Sequence, residues 1–576
     1  MTVRSQPPAS RRQPPRRRRA VPAPRRFAPL AATAVLSLLA GTVVGARHVP
    51  AEHRAVAQFA LDWQRGDYAG MYALLSDDAR RRVTLPQLRR SYAAAADALT
   101  LQSVRTGRVR DDGDVVQVPV VLRTRMFGRL YGMLAVPTGK SDAAGAGVDW
   151  SPALLFPGLS RGERLRRTTQ MPPRAALEAD DGSVIAGGPQ RTSTLGPAVT
   201  QVAGSVGPAP AKRHAELAAA GVPANASVGL TGLELEFDAQ LRGTPGGTLY
   251  AGTRELARKP PVKAAPVRTT IDPAVQRAAV AALGDTYGGV VAMQPRTGAV
   301  LALAGIAQSA PQPPGSTFKI VTLTGVLEHK LVSRTATFPY ETQTEIEGVA
   351  IQNANGESCG GTLEASFADS CNSVFAPLGA KLGATALVAT AERYGFNQSP
   401  VLKSAATSTI PAAAEIGDAL AVGSSAIGQG KVQATPLQMA VVAATIADDG
   451  ERPIPTLLHG ATPRHVRVTT RAVARTINAY MRSVVAGGTG AAAAIPGVAV
   501  AGKTGTAELR DTVPPNGADT TDGDSDQGAD TDAWFTSFAP ANKPRIVVCV
   551  LLPANGAGGD TAAPVARQVL LAGLQR

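Results

Sequence analysis

Three short clusters in the C-terminal half of the chain hold side chains suited to acyl transfer: Ser316-Thr-Phe-Lys319, Ser370-Cys-Asn372 and Lys503-Thr-Gly505-Thr506. A serine hydroxyl is a weak nucleophile at neutral pH and needs a base within hydrogen-bond reach. A helix beginning near Ser316 sets Lys319 one turn on, on the same face. Gly315 leaves room for a reacting group, and Ser316 at a helix start can lend its backbone N–H to an oxyanion. Lysine works as a base only where burial and a second cation lower its pKa, and Lys503 is the natural second cation.

Each cluster alone says little, because serines are plentiful and S-x-N is a weaker pattern than S-x-x-K. Lys503-Thr-Gly505-Thr506 says more, since it sits between the alternating residues 498–502 and 507–509, where a strand can line an acyl substrate. All three in this order, on matching helix and strand contexts, form a specific pattern.

The elements that must position these groups follow from periodicity. Thr270 or Asp272 can cap a helix with Pro273 in its first turn and Val275, Ala279 and Leu283 as its apolar stripe. Two strands follow around the turn Pro295–Gly298. Strands recur at 498–509, 533–540 and 544–554, and a closing helix covers 564–574. One sheet is therefore expected from both ends of the block 267–576, with the intervening helical region carrying Ser316 and Ser370. Residues 509–532 are acidic, rich in Pro and Gly and aperiodic, which predicts a solvated, mobile hairpin insertion, with a lid or partner-docking loop as the alternative.

Upstream, residues 48–149 read as helices followed by a meander, a small α+β cone in which Phe59, Leu61, Trp63, Tyr68, Met71, Tyr72 and Leu75, near helical spacing, are expected as core. Residues 150–266 form an irregular, Gly/Pro-rich, β-rich stretch. Within it Glu234 and Asp238 are four apart and could share a helix face, and a buried hydrogen-bonded hub or a solvated face is expected of them rather than catalysis. A chain of 576 residues suggests three or four such units at about 150 residues each.

Nine of the fifteen excess positive charges are arginines in residues 1–26, interspersed with prolines and without an apolar face, so a disordered tail is expected there. No basic patch is interleaved with aromatics, which argues against nucleic-acid binding. Residues 27–46 are an uncharged run of about the length that crosses a bilayer as a helix. The basic flank places the tail in the cytoplasm and the remainder outside the plasma membrane, a single-pass topology. A cleaved signal peptide ending at Ala46 is the competing reading. Of three cysteines, the close pair Cys359 and Cys371 is the candidate disulfide in an exported chain, and Cys549 reads as a packed hydrophobe. No cysteine or histidine spacing suggests zinc.

The three clusters, with residues 313–320, 365–379, 426–440 around Gly428-Gln-Gly430, and 502–508, resemble the transpeptidase domain of class B penicillin-binding proteins over nearly all of 267–576. Residues 231–246, and Arg174 with Asp180-Asp-Gly182, resemble that family's pedestal or dimerisation domain, although Ala175 and Asp181 depart from its pattern. Residues 63–92 resemble the nuclear-transport-factor-like domain of the methicillin-resistance type. The resemblance implies a multidomain α+β protein: a membrane anchor at 27–46, a cone domain at 48–149, a pedestal at 150–266 and a β-lactamase-like transpeptidase domain at 267–576. It implies Ser316 as acylated nucleophile, Lys319 as base, and Ser370 and Asn372 as proton relay and peptide-amide partner. Lys503 and Thr504 are implied as the carboxylate anchor, beside Gly505, with Thr506 and Ser316 as oxyanion-hole donors. Cys371 should then point away from substrate toward Cys359. The implied partners are peptidoglycan stem peptides ending in D-alanyl-D-alanine, β-lactam antibiotics, the plasma membrane and a cell-wall glycosyltransferase, with no metal or organic cofactor required.

Other readings stay open at this level. The same acyl-enzyme resolved by water describes a D,D-carboxypeptidase or a β-lactamase, and a non-catalytic β-lactam sensor or cell-wall scaffold would keep the pocket without turnover. The long N-terminal portion favours a wall synthase, and intact Ser316, Lys319 and Lys503 argue against a dead scaffold.

Overall fold

The computed structural model describes residues 49–112, 115–508 and 531–576. The basic tail 1–26, the apolar run 27–46 and residues 509–530 of the acidic stretch lie outside the described residues. Thr531 and Asp532, expected to end that loop, instead open a strand. Among the described residues no single helix is long and apolar enough to cross a membrane.

Two compact units emerge: described residues up to Arg166 with Tyr250–Arg254, and Arg167–Leu249 with Glu255–Arg576. In the first, helices Ala51–Arg65, Tyr68–Ala73, Asp77–Arg82 and Leu85–Leu99 precede the sheet. Their boundaries follow from local chemistry. Gly66 ends the first helix in a left-handed conformation, and the Asp67 carboxylate accepts from Gly70 N to start the next. Thr84 and Gln87 form a reciprocal capping box. Strand Val115–Thr124 pairs antiparallel with Leu101–Thr106, Arg110–Asp112 and Gly128–Val136. Its alternate residues Val116, Val118, Val120 and Leu122 are buried, as are Phe59, Trp63, Met71, Leu75 and Tyr92. Phe59, Trp63, Tyr92 and Trp150 are core, with Tyr92 5.6 Å from Trp63 and 6.4 Å from Trp150 between ring centres, whereas Leu61, Tyr68 and Tyr72, expected in the core, are only half-buried because they lie at its margin.

The second unit is built on a five-stranded antiparallel sheet of β1 (Gly289–Met293), β2 (Val300–Gly305), β3 (Ala501–Glu508), β4 (Thr531–Ala539) and β5 (Ile546–Leu552), in the order β2-β1-β5-β4-β3. The two ends of the block thus meet in one sheet, with β3 at an edge. Helix α1 (Pro273–Leu283) is capped by Asp272, whose carboxylate accepts from Ala274 N and Val275 N, and it buries Val275, Ala279 and Leu283. It packs with α7 (Ala562–Leu574), and both contribute apolar side chains to a core with Val290, Ala292, Phe535 and Val548. A second, larger core cluster takes Val291, Met293, Trp534 and Phe538 from the sheet. It also takes residues of α2 (Lys319–Glu328), α3 (Leu363–Ala368), α4 (Asn372–Leu382), α5 (Pro436–Ala447) and α6 (Arg471–Ala486). The strands are five to nine residues long, and β1, β2 and β5 are apolar on both faces, as a sheet covered on both sides requires.

Glu234 and Asp238 do not share one helix: Phe237, with φ −102° and ψ 17°, separates Gly232–Glu236 from Asp238–Leu241. Both carboxylates are 1% exposed. Arg174 Nε donates to Glu234 at 2.6 Å and its Nη1 to Asp238 at 2.8 Å. Arg191 adds a bond to Glu234 at 2.6 Å, and Arg213 one to Asp238 at 2.8 Å. Burial by itself would raise the Asp238 pKa, but the Gly229 N–H, Arg213 and Arg174 together hold it below the ordinary carboxylate value. These carboxylates are a buried structural hub, the first of the two non-catalytic readings.

Candidate active site

Ser316 stands in a tight 3-10 turn, Gly315–Phe318, that runs directly into α2, so Lys319 is the first α-helical residue. The expected single helix is therefore wound more tightly at its start. Gly315 has φ +51°, and a Cβ there would lie 2.7 Å from Thr506 O. The Ser316 turn thus abuts edge strand β3, a closeness that a side chain at 315 would prevent. From behind, Gly315 N donates to Gly428 O at 3.0 Å, and a Cβ on Gly428 would approach Gly315 O to 2.0 Å. The Ser316 side chain is partly exposed, and neither its hydroxyl nor its N–H has a hydrogen-bond partner among the described residues.

Lys319 is fully buried. Its Nζ donates to Ser370 O at 2.6 Å and to Asn372 Oδ1 at 2.7 Å, and lies 3.4 Å from Ser370 Oγ. Burial, reinforced by the charge of Lys503, pushes its pKa well below the ordinary lysine value. A neutral amine has two N–H donors and one lone pair. Two short acceptors take the donors, which leaves the lone pair to accept a proton.

Ser370 and Asn372 flank the break between α3 and α4. Ser370 adopts φ +63°, a left-handed conformation unusual for a residue with a side chain. Lys503 Nζ donates to Ser370 Oγ at 2.8 Å and to Thr504 O at 3.1 Å. Asn372 is held in turn by its Nδ2 donating to Gln352 O at 2.9 Å. A disulfide joins Cys371 to Cys359, both buried, tying the S-x-N segment to strand Cys359–Thr362.

Lys503 is also fully buried on β3, and burial brings its pKa down to about 7, against the opposing charge of Asp369. Nζ of Lys503 lies 5.6 Å from the Phe367 ring centre, and Nζ of Lys319 lies 5.6 Å from that of Phe375. Aromatic faces of this kind stabilise cations without supplying an anion that would neutralise them. Gly505 carries no side chain where a Cβ would meet Pro314 O at 2.8 Å and Trp534 Cβ at 2.9 Å. Ser316, Lys319, Ser370, Asn372 and Lys503 through Thr506 therefore converge where the Ser316 turn, the α3–α4 break and strand β3 meet.

Residues 288–571 match the model of the penicillin-binding protein transpeptidase domain, and residues 177–258 that of the penicillin-binding protein dimerisation domain. The peptidoglycan D,D-transpeptidase PbpA of Mycolicibacterium smegmatis is 32% identical over 408 residues, covering 60% of this chain and 80% of the relative. The chain belongs to the penicillin-binding protein family. PbpA of Mycobacterium tuberculosis is 32% identical over 376 residues, covering 54% of this chain and 72% of that protein. Among solved structures, penicillin-binding protein A of M. tuberculosis as a ceftriaxone acyl-enzyme complex aligns with TM-score 0.55 and 26% identity, covering 70% of this chain and 98% of that one. The D,D-transpeptidase domain of a peptidoglycan glycosyltransferase from Eggerthella lenta aligns with TM-score 0.56 and 28% identity over 70% and 98%.

For this penicillin-binding protein, sequence reasoning missed several residues that shape the site. Phe367 and Phe375 stand under the two ammonium groups, and Asp369 faces Lys503 electrostatically. Thr489 Oγ1 lies 2.6 Å from Thr504 Oγ1. Only the neighbours Phe367 and Asp369 of Ser370 carried a local signal, their closeness to a recognisable motif.

Proposed function

We propose that this chain is a serine D,D-transpeptidase that cross-links peptidoglycan stem peptides through an acyl-Ser316 enzyme, the site that β-lactams acylate. The observation that carries the residue assignment is the Lys319 amine: buried, lowered in pKa, and one turn from a serine whose hydroxyl has no hydrogen-bond partner among the described residues. In the first step Lys319 takes the Ser316 proton as Oγ attacks the penultimate D-alanyl carbonyl. The Ser316 N–H, free of any partner among the described residues, and the Thr506 N–H of β3 stabilise the oxyanion.

Lys319 returns the proton through the Ser370 hydroxyl, which accepts from Lys503 and so keeps its own proton for the departing D-alanine nitrogen. Lys503 and Thr504 hold the terminal carboxylate, and Asn372 faces the peptide amide. An amine of a neighbouring stem then resolves the ester, reversing the proton path.

Around this reaction we assign residues 27–46 as a single-pass plasma-membrane anchor with residues 1–26 cytoplasmic, supported by the arginine-rich flank. The helices-then-meander order of 48–149 supports a nuclear-transport-factor-like domain, residues 150–266 act as pedestal, and a membrane glycosyltransferase supplies the strands to be joined.

A fluorescent penicillin tests the assignment. Wild-type chain should label covalently and hold the label, whereas Ser316→Ala should not label. Absence of labelling in the wild type would overturn the enzymatic reading, and rapid loss of label would assign the water-resolved reaction.

A further inference from the structure

Thr489 lies between Gly488 and Gly490, just after α6, and touches both walls of the cleft. Its N–H donates to Ala368 O at 3.3 Å, its Oγ1 lies 3.2 Å from the same carbonyl, and that Oγ1 is 2.6 Å from Thr504 Oγ1. Ala368 ends α3 two residues before Ser370, and Thr504 belongs to β3, so a single exposed hydroxyl links the segment bearing Ser370 to the segment bearing Lys503.

The backbone around Thr489 is held on three sides. A Cβ at Gly488 would meet Ala368 O at 2.6 Å, and one at Gly490 the Phe535 ring at 2.9 Å. A Cβ at Gly559 would meet Thr489 O at 2.3 Å. Close approaches at each flank leave Thr489 little freedom to move away from Thr504.

Counting protons gives this contact a chemical consequence. Ala368 O can only accept, whereas Thr504 can donate or accept. If Thr489 donates to Ala368 O, Thr504 must spend its proton on Thr489 and turn only lone pairs toward an incoming carboxylate. If Thr489 donates to Thr504, the Thr504 proton is released for the carboxylate, while Ala368 O keeps the Thr489 N–H. The 2.6 Å contact is much shorter than the 3.2 Å one, and a donor chain ending on an anion strengthens each link.

We propose that Thr489 is a positioning residue for the substrate's terminal carboxylate: its hydroxyl donates to Thr504 so that Thr504 donates onward to the carboxylate. The inference rests on the transpeptidase reading above and adds to it a residue outside the three motifs.

The test compares acylation of the full chain by benzylpenicillin with acylation by its methyl ester, which lacks the anion. Losing one charge-assisted link should slow Thr489→Val with the acid by roughly 10- to 100-fold, with little change for the ester. Thr489→Ser should restore the acid rate. Thr489→Ala, measured alongside, covers the case in which valine does not fold, as judged by thermal melting. In a Thr504→Val background, Thr489→Val should add nothing further for the acid. Acid and ester rates falling together, or an unchanged acid rate, would overturn the proposal. Failure of the wild type to acylate with either compound would instead remove the transpeptidase reading, and the inference with it.

Discussion

Lys503 Nζ lies 2.8 Å from Ser370 Oγ, the same hydroxyl that Lys319 approaches at 3.4 Å from the other side. Two lysine side chains, 184 positions apart in the chain, thus meet at one serine whose backbone is left-handed. Accepting from Lys503 directs the Ser370 proton away from that lysine. Ser370→Ala breaks this path while leaving Ser316 and Lys319 in place, so acylation by penicillin should fall by ~10²–10⁴-fold, the usual worth of positioned proton transfer. Stopped-flow acylation rates measure this, and a loss below threefold would remove Ser370 from the relay.

The paired lysines also set a pH profile. In the proposed role Lys319 must be neutral to act as base, and burial together with the charge of Lys503 lowers its pKa in the direction that favours the neutral amine. Lys503 must be charged to hold a carboxylate, which is so only below its pKa of about 7. The acylation rate constant kcat/KM for a carboxylate-bearing β-lactam should therefore fall on the alkaline side with an apparent pKa near that value. Asp369 opposes the fall by favouring the Lys503 cation, so Asp369→Asn should shift the alkaline limb to lower pH. A limb that stays in place in Asp369→Asn would show that Asp369 does not govern Lys503.

Asp238 makes a prediction about stability alone. Its carboxylate, 1% exposed, accepts from Arg174, Arg213 and Gly229 N. Asp238→Asn leaves buried guanidinium groups short of their anion, at a cost of about 3–5 kcal/mol. Because the folded-state pKa of Asp238 is lowered, its contribution is present at neutral pH and is lost as pH falls through the folded-state value. Denaturant unfolding followed at Trp534, the one tryptophan of the second unit, should show the loss at pH 7 and a smaller one in acid.

Asp532 acts in the opposite sense. It is fully buried at the start of β4; its Oδ1 accepts from Ala554 N at 3.1 Å, and its Oδ2 has no partner among the described residues. Burial raises its pKa to about 6. The native state then binds more protons than the unfolded state between the ordinary carboxylate range and that value, so stability falls as pH rises through this window. Asp532→Asn should raise the unfolding free energy at pH 8 by roughly 1–3 kcal/mol and leave it almost unchanged at pH 4. Equal effects at the two pH values would assign the change to packing instead of charge.

Legibility in the sequence tracked how local the governing physics is. The Asp272 cap, the Pro295–Gly298 turn and the apolar faces of α1 and α7 depend on neighbours a few positions away, and they stand where periodicity puts them. The two short helices around Phe237 were not legible, because the arginines that bind Glu234 and Asp238 come from positions as distant as 174 and 213, with Arg174 bridging both carboxylates. The end of the acidic loop was misjudged for a similar reason: Asp532 looks like loop composition, but its pairing with Ala507 across β3 and β4 outweighs its low strand propensity.

By itself, the order of residues determined the reactive inventory: a serine with a lysine one turn away, a second serine with its asparagine, and a Lys-Thr-Gly strand, because each relationship is set within a turn or a strand. Tertiary structure alone decided the working state of those groups. Burial lowers the pKa of the two lysines, the Gly315–Thr506 approach seats the Ser316 turn against β3, and Thr489 reaches Thr504 across a fold-back. Desolvation and through-space proton ordering depend on what surrounds a group in three dimensions, and a linear sequence does not list those neighbours.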